Sequence, residues 1–258
     1  MATTAALAHT HTTKPALNWL AGHWLVLFIT IFGLWVWIPW LAPIFMHLGW
    51  DNAGNGIYFV YKFFCHQLPE RSFFLFGPKP MYSLAEIQAI QPANLSFPHL
   101  RQFIGSAQMG WKVAWSDRMV SFYGSIWLFA LLWWYLRRRI KSLPLWIFIL
   151  LLLPMALDGG THMISDIAGI EQGFRESNQW LVVLTNHLLP ASFYAGDALG
   201  SFNSWMRLIT GLLAGLAVAW FAFPLIYQAQ TLDQELDRNS YGEVLQQIRN
   251  KDPRFTGR

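Results

Sequence analysis

Four long apolar segments constrain the fold of this chain more than any other feature. A lipid-spanning helix needs about 20 mainly apolar residues, because the hydrocarbon core is about 30 Å thick and each residue rises about 1.5 Å. The qualifying segments are residues 19–46, 119–136, 143–164 and 205–227. Tryptophan and tyrosine are concentrated at their ends, as is typical of interfacial anchors.

The composition agrees with a membrane protein. Of the 258 residues, 54% are hydrophobic and only 12% are charged, which excludes a disordered chain, a coiled coil and a disulfide-stapled secreted module. We therefore predict an all-α polytopic membrane protein with about four transmembrane helices. The first span is too long for the core of a signal peptide and is expected to be an uncleaved anchor that Pro39 and Pro43 kink or end.

Basic residues between the second and third spans predict the orientation. Arg137, Arg138, Arg139 and Lys141 lie in this short loop and mark it as cytoplasmic by the positive-inside rule. Both termini are then cytoplasmic, and the protein is expected in the cytoplasmic (inner) membrane.

This orientation divides the chain into a membrane part, residues 1–228, with outer loops at 47–118 and 165–204. The tail, residues 229–258, is mixed in charge and is predicted to be a cytoplasmic amphipathic helix. Interfacial or re-entrant helices are expected in the outer loops, over residues 54–67, 72–76 and 178–189, and Ser83 is expected to cap another short helix.

The strongest candidate site lies at the outer end of the third span. Asp158, His162 and Asp166 follow at steps of four residues and share one face of a helix. Ionisable residues within a span are costly, so these three are candidates for acid–base catalysis. Asp158 and His162 are also candidate ligands of a divalent metal ion. Asp166 lies about 12 Å from Asp158 along an ideal helix, too far to share one ion. A hydrogen-bonded network that only fixes helix packing is the structural alternative.

A second group follows the first span. Cys65, the only cysteine, has no internal disulfide partner, and its neighbour His66 has a side chain able to ligate a metal or transfer a proton. Arg71 follows closely. Burial of Cys65 as a small apolar residue is the alternative to a role as nucleophile.

The remaining candidates border the spans on the predicted outer side. Asp117 precedes the second span, where capping of that helix is the structural interpretation. Arg207 enters the fourth span and needs either an anionic ligand or a carboxylate partner such as Asp158 or Asp166. The residues expected to bind substrate or an anion there are Arg118, Arg175, Asn178, Asn203 and Arg207, and Asp197 is a further candidate.

With these residues the chain resembles a family of uncharacterised prokaryotic integral membrane proteins that share a Cys-His-Gln…Arg-Ser-Phe signature. The likeness runs from about residue 60 to 216 and includes residues 65–67, 71–73 and 175–178, with Arg207. Many relatives have Cys-x-Arg-Cys at residues 116–119 and Gln at 162, whereas this chain has Ser-Asp-Arg-Met and His. The resemblance implies a shared site without a zinc-thiolate centre, and it implies no particular reaction.

Two functions from different classes remain open. The first is an outer-face hydrolase or transferase, metal-dependent or not, that acts on a lipid or lipid-linked phosphate. The second is a non-catalytic subunit of a larger photosynthetic or respiratory complex that binds lipid, quinone or pigment. Membrane lipids, and other membrane-protein subunits in the second case, are the expected partners, and nucleic acid is not. A transporter is a weaker alternative because four spans without an inverted repeat offer little scaffold for alternating access.

Overall fold

Four long helices dominate the structure. The computed structural model describes residues 15–90, 97–137, 139–169 and 172–251, so Arg138 and the last residues of the tail lie outside the described part. The long helices are α1 (Pro15–His47), α5 (Asp117–Leu136), α6 (Leu145–Ile167) and α10 (Phe202–Lys251). Each contains a stretch long and apolar enough to cross a membrane, which confirms the predicted helical class and the four spans.

Two predicted boundaries change. Helix α1 continues through Pro39 and Pro43 to His47, so neither proline ends it. Helix α10 runs without a break from the fourth span into the tail, and its exposed Leu232 and Leu236 lie on this extension. The side chains of Val244, Leu245 and Ile248, also expected on an amphipathic face, lie outside the described side chains.

A small antiparallel sheet accompanies the helices and was not predicted. Its strands are β1 (Ser72–Leu75), β2 (Gly105–Ser106) and β3 (Gly110–Ser116), in the order β1-β3-β2. Residues 72–76, expected to be an interfacial helix, are therefore mostly strand β1, which pairs Ser72 with Ser116 and Phe74 with Lys112. Pairing with a strand some 40 residues later overrides the local pattern of aromatic residues.

Short helices fill the two predicted outer loops. They are α2 (Asp51–Tyr61), a 3₁₀ turn (Pro69–Arg71), α3 (Leu84–Ile90), α4 (Phe97–Gln102), α7 (Phe174–Ser177), α8 (Gln179–Leu184) and α9 (Ala191–Tyr194). Helix α8 covers only the first half of the predicted 178–189 segment, and α2 ends before residues 62–67. The predicted capping box at α3 is present, because Ser83 N donates to Glu86 Oε2 at 2.9 Å and Glu86 N donates to Ser83 Oγ at 3.4 Å.

Helices α5 and α10 pack closely through small residues. A Cβ atom added at Gly211 would lie 2.1 Å from Ser121 Oγ, and one at Gly215 would lie 1.8 Å from Ser125 Oγ. Glycines four residues apart let two helix backbones approach, as in membrane helix pairs. This contact places the first turn of α5 beside the first turns of α10, and the end of α6 packs at the same level.

Candidate functional site

Charged residues from six parts of the chain meet at this end of the helix bundle. We call this group the Arg/Asp cluster; its members are Arg71, Arg118, Arg175, Arg207, Asp117, Asp158, Asp166 and Asp197. The members come from the 3₁₀ turn, α5, α6, α7, the loop before α10, and α10 itself. The four positive and four negative charges balance, which allows so many ionised groups to lie together with most of them buried.

Asp158 is at the centre of one half of the Arg/Asp cluster. Its Oδ2 accepts from Arg118 at 2.7 Å and its Oδ1 accepts from Arg175 at 2.6 Å. Gly159 makes room for this arrangement, since a Cβ atom there would lie 2.9 Å from a guanidinium nitrogen of Arg118. Two arginines thus compensate the negative charge of Asp158, a residue that is only 5% exposed to solvent.

Asp117 and Arg207 form the second half. Arg207 Nε donates to both carboxylate oxygens of Asp117 at 2.8 Å, and its Nη1 and Nη2 donate to Asp197. Asp117 is the first residue of α5 and accepts from Arg118 N, but Ser116 occupies the N-cap position and forms no side-chain cap bond. The carboxylate partners of Arg207 are therefore Asp117 and Asp197, not the predicted Asp158 or Asp166, and Asp117 is chiefly an ion-pair partner and not a cap.

Arg71 joins the cluster from a distant part of the sequence. It donates to both carboxylate oxygens of Asp166 at 2.8 Å and to Asp197 Oδ2 at 2.7 Å. Burial would lower the pKa of Arg71, yet Asp197 and Asp166 raise its pKa well above the usual range. Burial likewise would raise the pKa of Asp197, but Arg71 and Arg207 hold its pKa well below the usual range. Both groups are charged at neutral pH.

His162 lies between the two halves. Its Nδ1 lies 3.1 Å from the main-chain oxygen of Asp158 and 3.5 Å from Asp158 Oδ1. Its Nε2 lies 3.5 Å from Asp197 Oδ1 but is buried without a hydrogen-bond partner in the described residues. A buried ring nitrogen without a partner is unusual, because the loss of hydration is then not compensated.

Asn178 and Asn203 support the cluster through the backbone. The side-chain nitrogens of both residues donate to the Arg175 main-chain oxygen at 2.7 Å, and Asn178 also donates to Tyr194 O. Asn178 has a φ of 42°, a left-handed conformation that asparagine tolerates better than most residues. Both amides, predicted to bind substrate, fix the loop that carries Arg175.

A cavity of about 660 Å³ adjoins the cluster. Its wall includes His162, Arg71, Asp166 and Asp197, together with Glu70. Glu70 was not among the predicted site residues, because its only sequence signal is its position next to Arg71. Burial raises the pKa of Glu70 to about 7 although Arg71 opposes the shift, and its Oε2 is buried without a hydrogen-bond partner in the described part of the chain.

The arrangement of the side chains does not support the predicted binding of a divalent metal ion. Within residues 15–90, 97–137, 139–169 and 172–251, no group of three or more His, Cys, Asp or Glu side chains is placed to hold a metal ion. Both oxygens of Asp158 already accept hydrogen bonds from arginines. Metal binding by Asp158 and His162 stays a prediction.

Cys65 and His66 lie apart from this cavity. Cys65 is buried against Tyr61 and Trp115, and its Sγ accepts from Gln67 N and Ser116 N at 3.4 Å. This placement matches the structural interpretation of a small apolar residue. His66 lines a different cavity, described below.

Comparison with known proteins agrees with the resemblance inferred from the sequence. Residues 107–221 match a family described as predicted membrane protein (DUF2085). The chain is also 25% identical to the Uncharacterized protein MJ1492 of Methanocaldococcus jannaschii over 195 residues, which cover 73% of this chain and 83% of that protein. No solved structure matches the chain. The predicted similarity to an uncharacterised membrane protein family is confirmed, and the matched segment holds every member of the Arg/Asp cluster except Arg71.

Proposed function

We propose that this membrane protein is a hydrolase or transferase that acts on a lipid or lipid-linked phosphate whose headgroup enters the cavity beside the Arg/Asp cluster. The observation that carries the proposal is His162 in the cavity wall, whose buried Nε2 forms no hydrogen bond within the described residues. A histidine between two carboxylates beside a cavity, with Nδ1 in contact with the backbone and Nε2 without a hydrogen bond in the described residues, has the arrangement of a general base.

His162 would accept the proton of the attacking hydroxyl. Nδ1 lies 3.1 Å from the Asp158 main-chain oxygen and 3.4 Å from Arg118 Nη2. In the tautomer required here, the hydrogen on Nδ1 donates to the nearer Asp158 oxygen and leaves Nε2 with the lone pair that a base requires. Asp158 and Asp197, each with an oxygen 3.5 Å from the ring, would stabilise the imidazolium formed. The nucleophile is water in a hydrolase, or the hydroxyl of a second substrate in a transferase.

Glu70 would supply the proton to the leaving group. Because burial raises its pKa to about 7, a substantial fraction of this carboxyl is protonated at neutral pH. The nucleophile oxygen bonds to phosphorus as its proton passes to His162, while the bond from phosphorus to the leaving oxygen breaks and that oxygen takes the Glu70 proton. The two groups thus act as a base and an acid in one cavity.

Arg71 is the arginine best suited to bind the phosphate. Arg118 and Arg207 are engaged by buried aspartates, whereas Asp166, the bidentate partner of Arg71, is 39% exposed. A phosphate has the geometry to replace this carboxylate on the guanidinium. Asp197 would remain bound to Arg71 Nε and hold the arginine in place. The buried arginines then have a positioning role.

The surroundings of the cavity favour a lipid substrate. Met163 and Ile167 line it, and their side chains are also among the most exposed apolar residues of α6. Both lie at the end of a predicted span, where a headgroup would enter the cavity while its chain stays in the bilayer. The positive loop at residues 137–141 lies at the opposite ends of α5 and α6, so we place the cavity on the outer face and both termini in the cytoplasm.

The direct test is phosphate release by the full chain in nanodiscs, or phosphate transfer to an added alcohol. Phosphatidic acid and an isoprenyl diphosphate are suitable probes, with and without an added alcohol acceptor. We expect turnover that His162→Gln lowers by at least about 100-fold, the usual contribution of a general base, while the exposed His187→Gln retains it. Absence of turnover with every probe, or equal turnover by both variants, would overturn the proposal. A melting curve of each variant separates loss of catalysis from loss of fold.

A specific observation favours the second candidate, a subunit of a larger membrane complex. Helix α10 extends 24 residues beyond Tyr227, about 36 Å at 1.5 Å per residue. Leu232, Leu236 and Tyr241 on this extension are more than half exposed. Native mass spectrometry of gently solubilised membranes tests this function: a fixed partner lost when residues 229–258 are deleted supports it, and a chain that remains monomeric contradicts it.

A further inference from the structure

A second cavity, of about 710 Å³, lies on the other side of the segment that carries Cys65 and Gln67. Its wall is formed by α2, the segment after α2, and α4. Its basic residues are Lys62, Arg101 and the imidazole of His66, and no acidic side chain occurs among the described residues that line it. The lining of the first cavity, in contrast, includes four acidic side chains, Glu70, Asp166, Glu176 and Asp197.

The backbone holds Arg101 in place. Arg101 Nε donates to His66 O at 3.0 Å and its Nη2 donates to Lys62 O at 2.7 Å. These carbonyl acceptors orient the guanidinium. Lys112 lies beneath, fully buried, with Nζ donating to Arg101 O at 3.1 Å. Burial, followed by the charges of Arg101 and Arg71, lowers the pKa of His66, although Asp166 opposes the shift.

Exposed aromatic side chains form part of the wall of the same cavity. Phe59, Phe63 and Phe64 line it and are 58%, 70% and 50% exposed. Lys62 Nζ lies 4.2 Å from the centre of the Phe59 ring and 5.7 Å from that of Phe63. Exposed phenylalanines beside fixed cations are suited to a molecule with an apolar chain and an anionic head, not to a free ion alone.

We propose that this second cavity binds the phosphate headgroup of an anionic phospholipid, with Lys62 and Arg101 facing the phosphate and Phe59 and Phe63 contacting the acyl chains. The site is separate from the Arg/Asp cluster and does not depend on catalysis there. It gives the protein a preference among the lipids of its own membrane.

Native mass spectrometry of the full detergent-purified chain tests this site, with phosphatidylglycerol and phosphatidylcholine as probes. We expect one phosphatidylglycerol to be retained in preference to phosphatidylcholine. Lys62→Gln should weaken that binding about fivefold, the effect expected for one lysine near an anionic surface. The matched control is Lys79→Gln, an exposed lysine on the same side that lines neither cavity; it should leave the affinity unchanged.

Two further measurements distinguish binding of the lipid from binding of phosphate alone. Phe63→Gln should weaken phosphatidylglycerol binding, whereas inorganic phosphate alone should not bind measurably by calorimetry. Three outcomes would each overturn the proposal. In the first two, both lipids are retained equally, or Lys62→Gln and Lys79→Gln have equal effects. In the third, inorganic phosphate binds and Lys62→Gln abolishes that binding, while Phe63→Gln leaves lipid binding unaffected. Retention of the lipid by His162→Gln distinguishes this site from the proposed active site.

Discussion

Arg207 in α10 donates from Nε to both carboxylate oxygens of Asp117, the first residue of α5, at 2.8 Å. Both side chains are almost fully buried. The pair joins the two most closely packed helices at the end where the Arg/Asp cluster lies. A buried ion pair of this kind tolerates the loss of one partner poorly, since the remaining charge is then uncompensated.

Asp117→Asn is therefore expected to destabilise the protein by about 3–5 kcal/mol, the usual cost of breaking a buried pair. The measurement is reversible unfolding in mixed micelles. Asp51→Asn, at an exposed position at the start of α2, is the control and should change little. If both variants unfold at the same denaturant concentration, the pair does not have the stabilising role assigned here.

Gly159→Ala should disturb the Asp158 half of the cluster. The added methyl group would lie 2.9 Å from a guanidinium nitrogen of Arg118, and displacement of that group is expected to cost about 1–3 kcal/mol. Gly160→Ala meets no atom within 4 Å and should be neutral or stabilising by up to about 1 kcal/mol. Similar unfolding curves for these adjacent variants would contradict the close contact of Arg118 with α6.

The buried carboxyl of Glu70 should make the stability of the protein depend on pH. Burial raises its pKa from 4.5 to about 7 in the folded protein, so the folded form binds the proton more tightly than the unfolded form. The stabilisation of the folded protein by this proton is complete below pH 4.5 and is lost as the pH rises to about 7. Glu70→Gln cannot ionise and should be more stable than the parent at pH 8 by up to about 3 kcal/mol. Parallel unfolding profiles of the two proteins between pH 4.5 and 8 would rule out a buried, ionisable Glu70.

Asp166 is expected to compete with phosphate for Arg71. Asp166→Asn removes this competition and should tighten the binding of a soluble phosphate monoester by up to about fivefold, as expected for a partly exposed ion pair. Isothermal titration calorimetry measures the change, with Asp51→Asn as the control. Weaker or unchanged binding would mean that the phosphate does not take the place of the Asp166 carboxylate.

Local patterns in the sequence predict a large part of the site. Asp158 and His162 lie one turn apart, and the alternating directions of the spans bring Asp117, Arg118 and Arg207 to the same end. The place of Arg71 in the cluster could not be predicted from local patterns, because its contact with Asp197 joins residues 126 positions apart. The role proposed for Glu70 could not be predicted either, since its raised pKa arises from burial that depends on the surrounding loops.

Hydropathy by itself determined the four spans, because the bilayer demands a minimum length of apolar helix whatever the tertiary contacts. It also determined that charge would gather at the span ends, where ionised groups can reach water or one another. Only the tertiary structure decided which arginine meets which aspartate, that residues 72–75 form a strand, and that His162 lies beside a cavity with Nε2 buried and not hydrogen-bonded within the described residues. Those outcomes depend on distances between residues far apart in the chain, which no local pattern of hydrophobicity or charge contains.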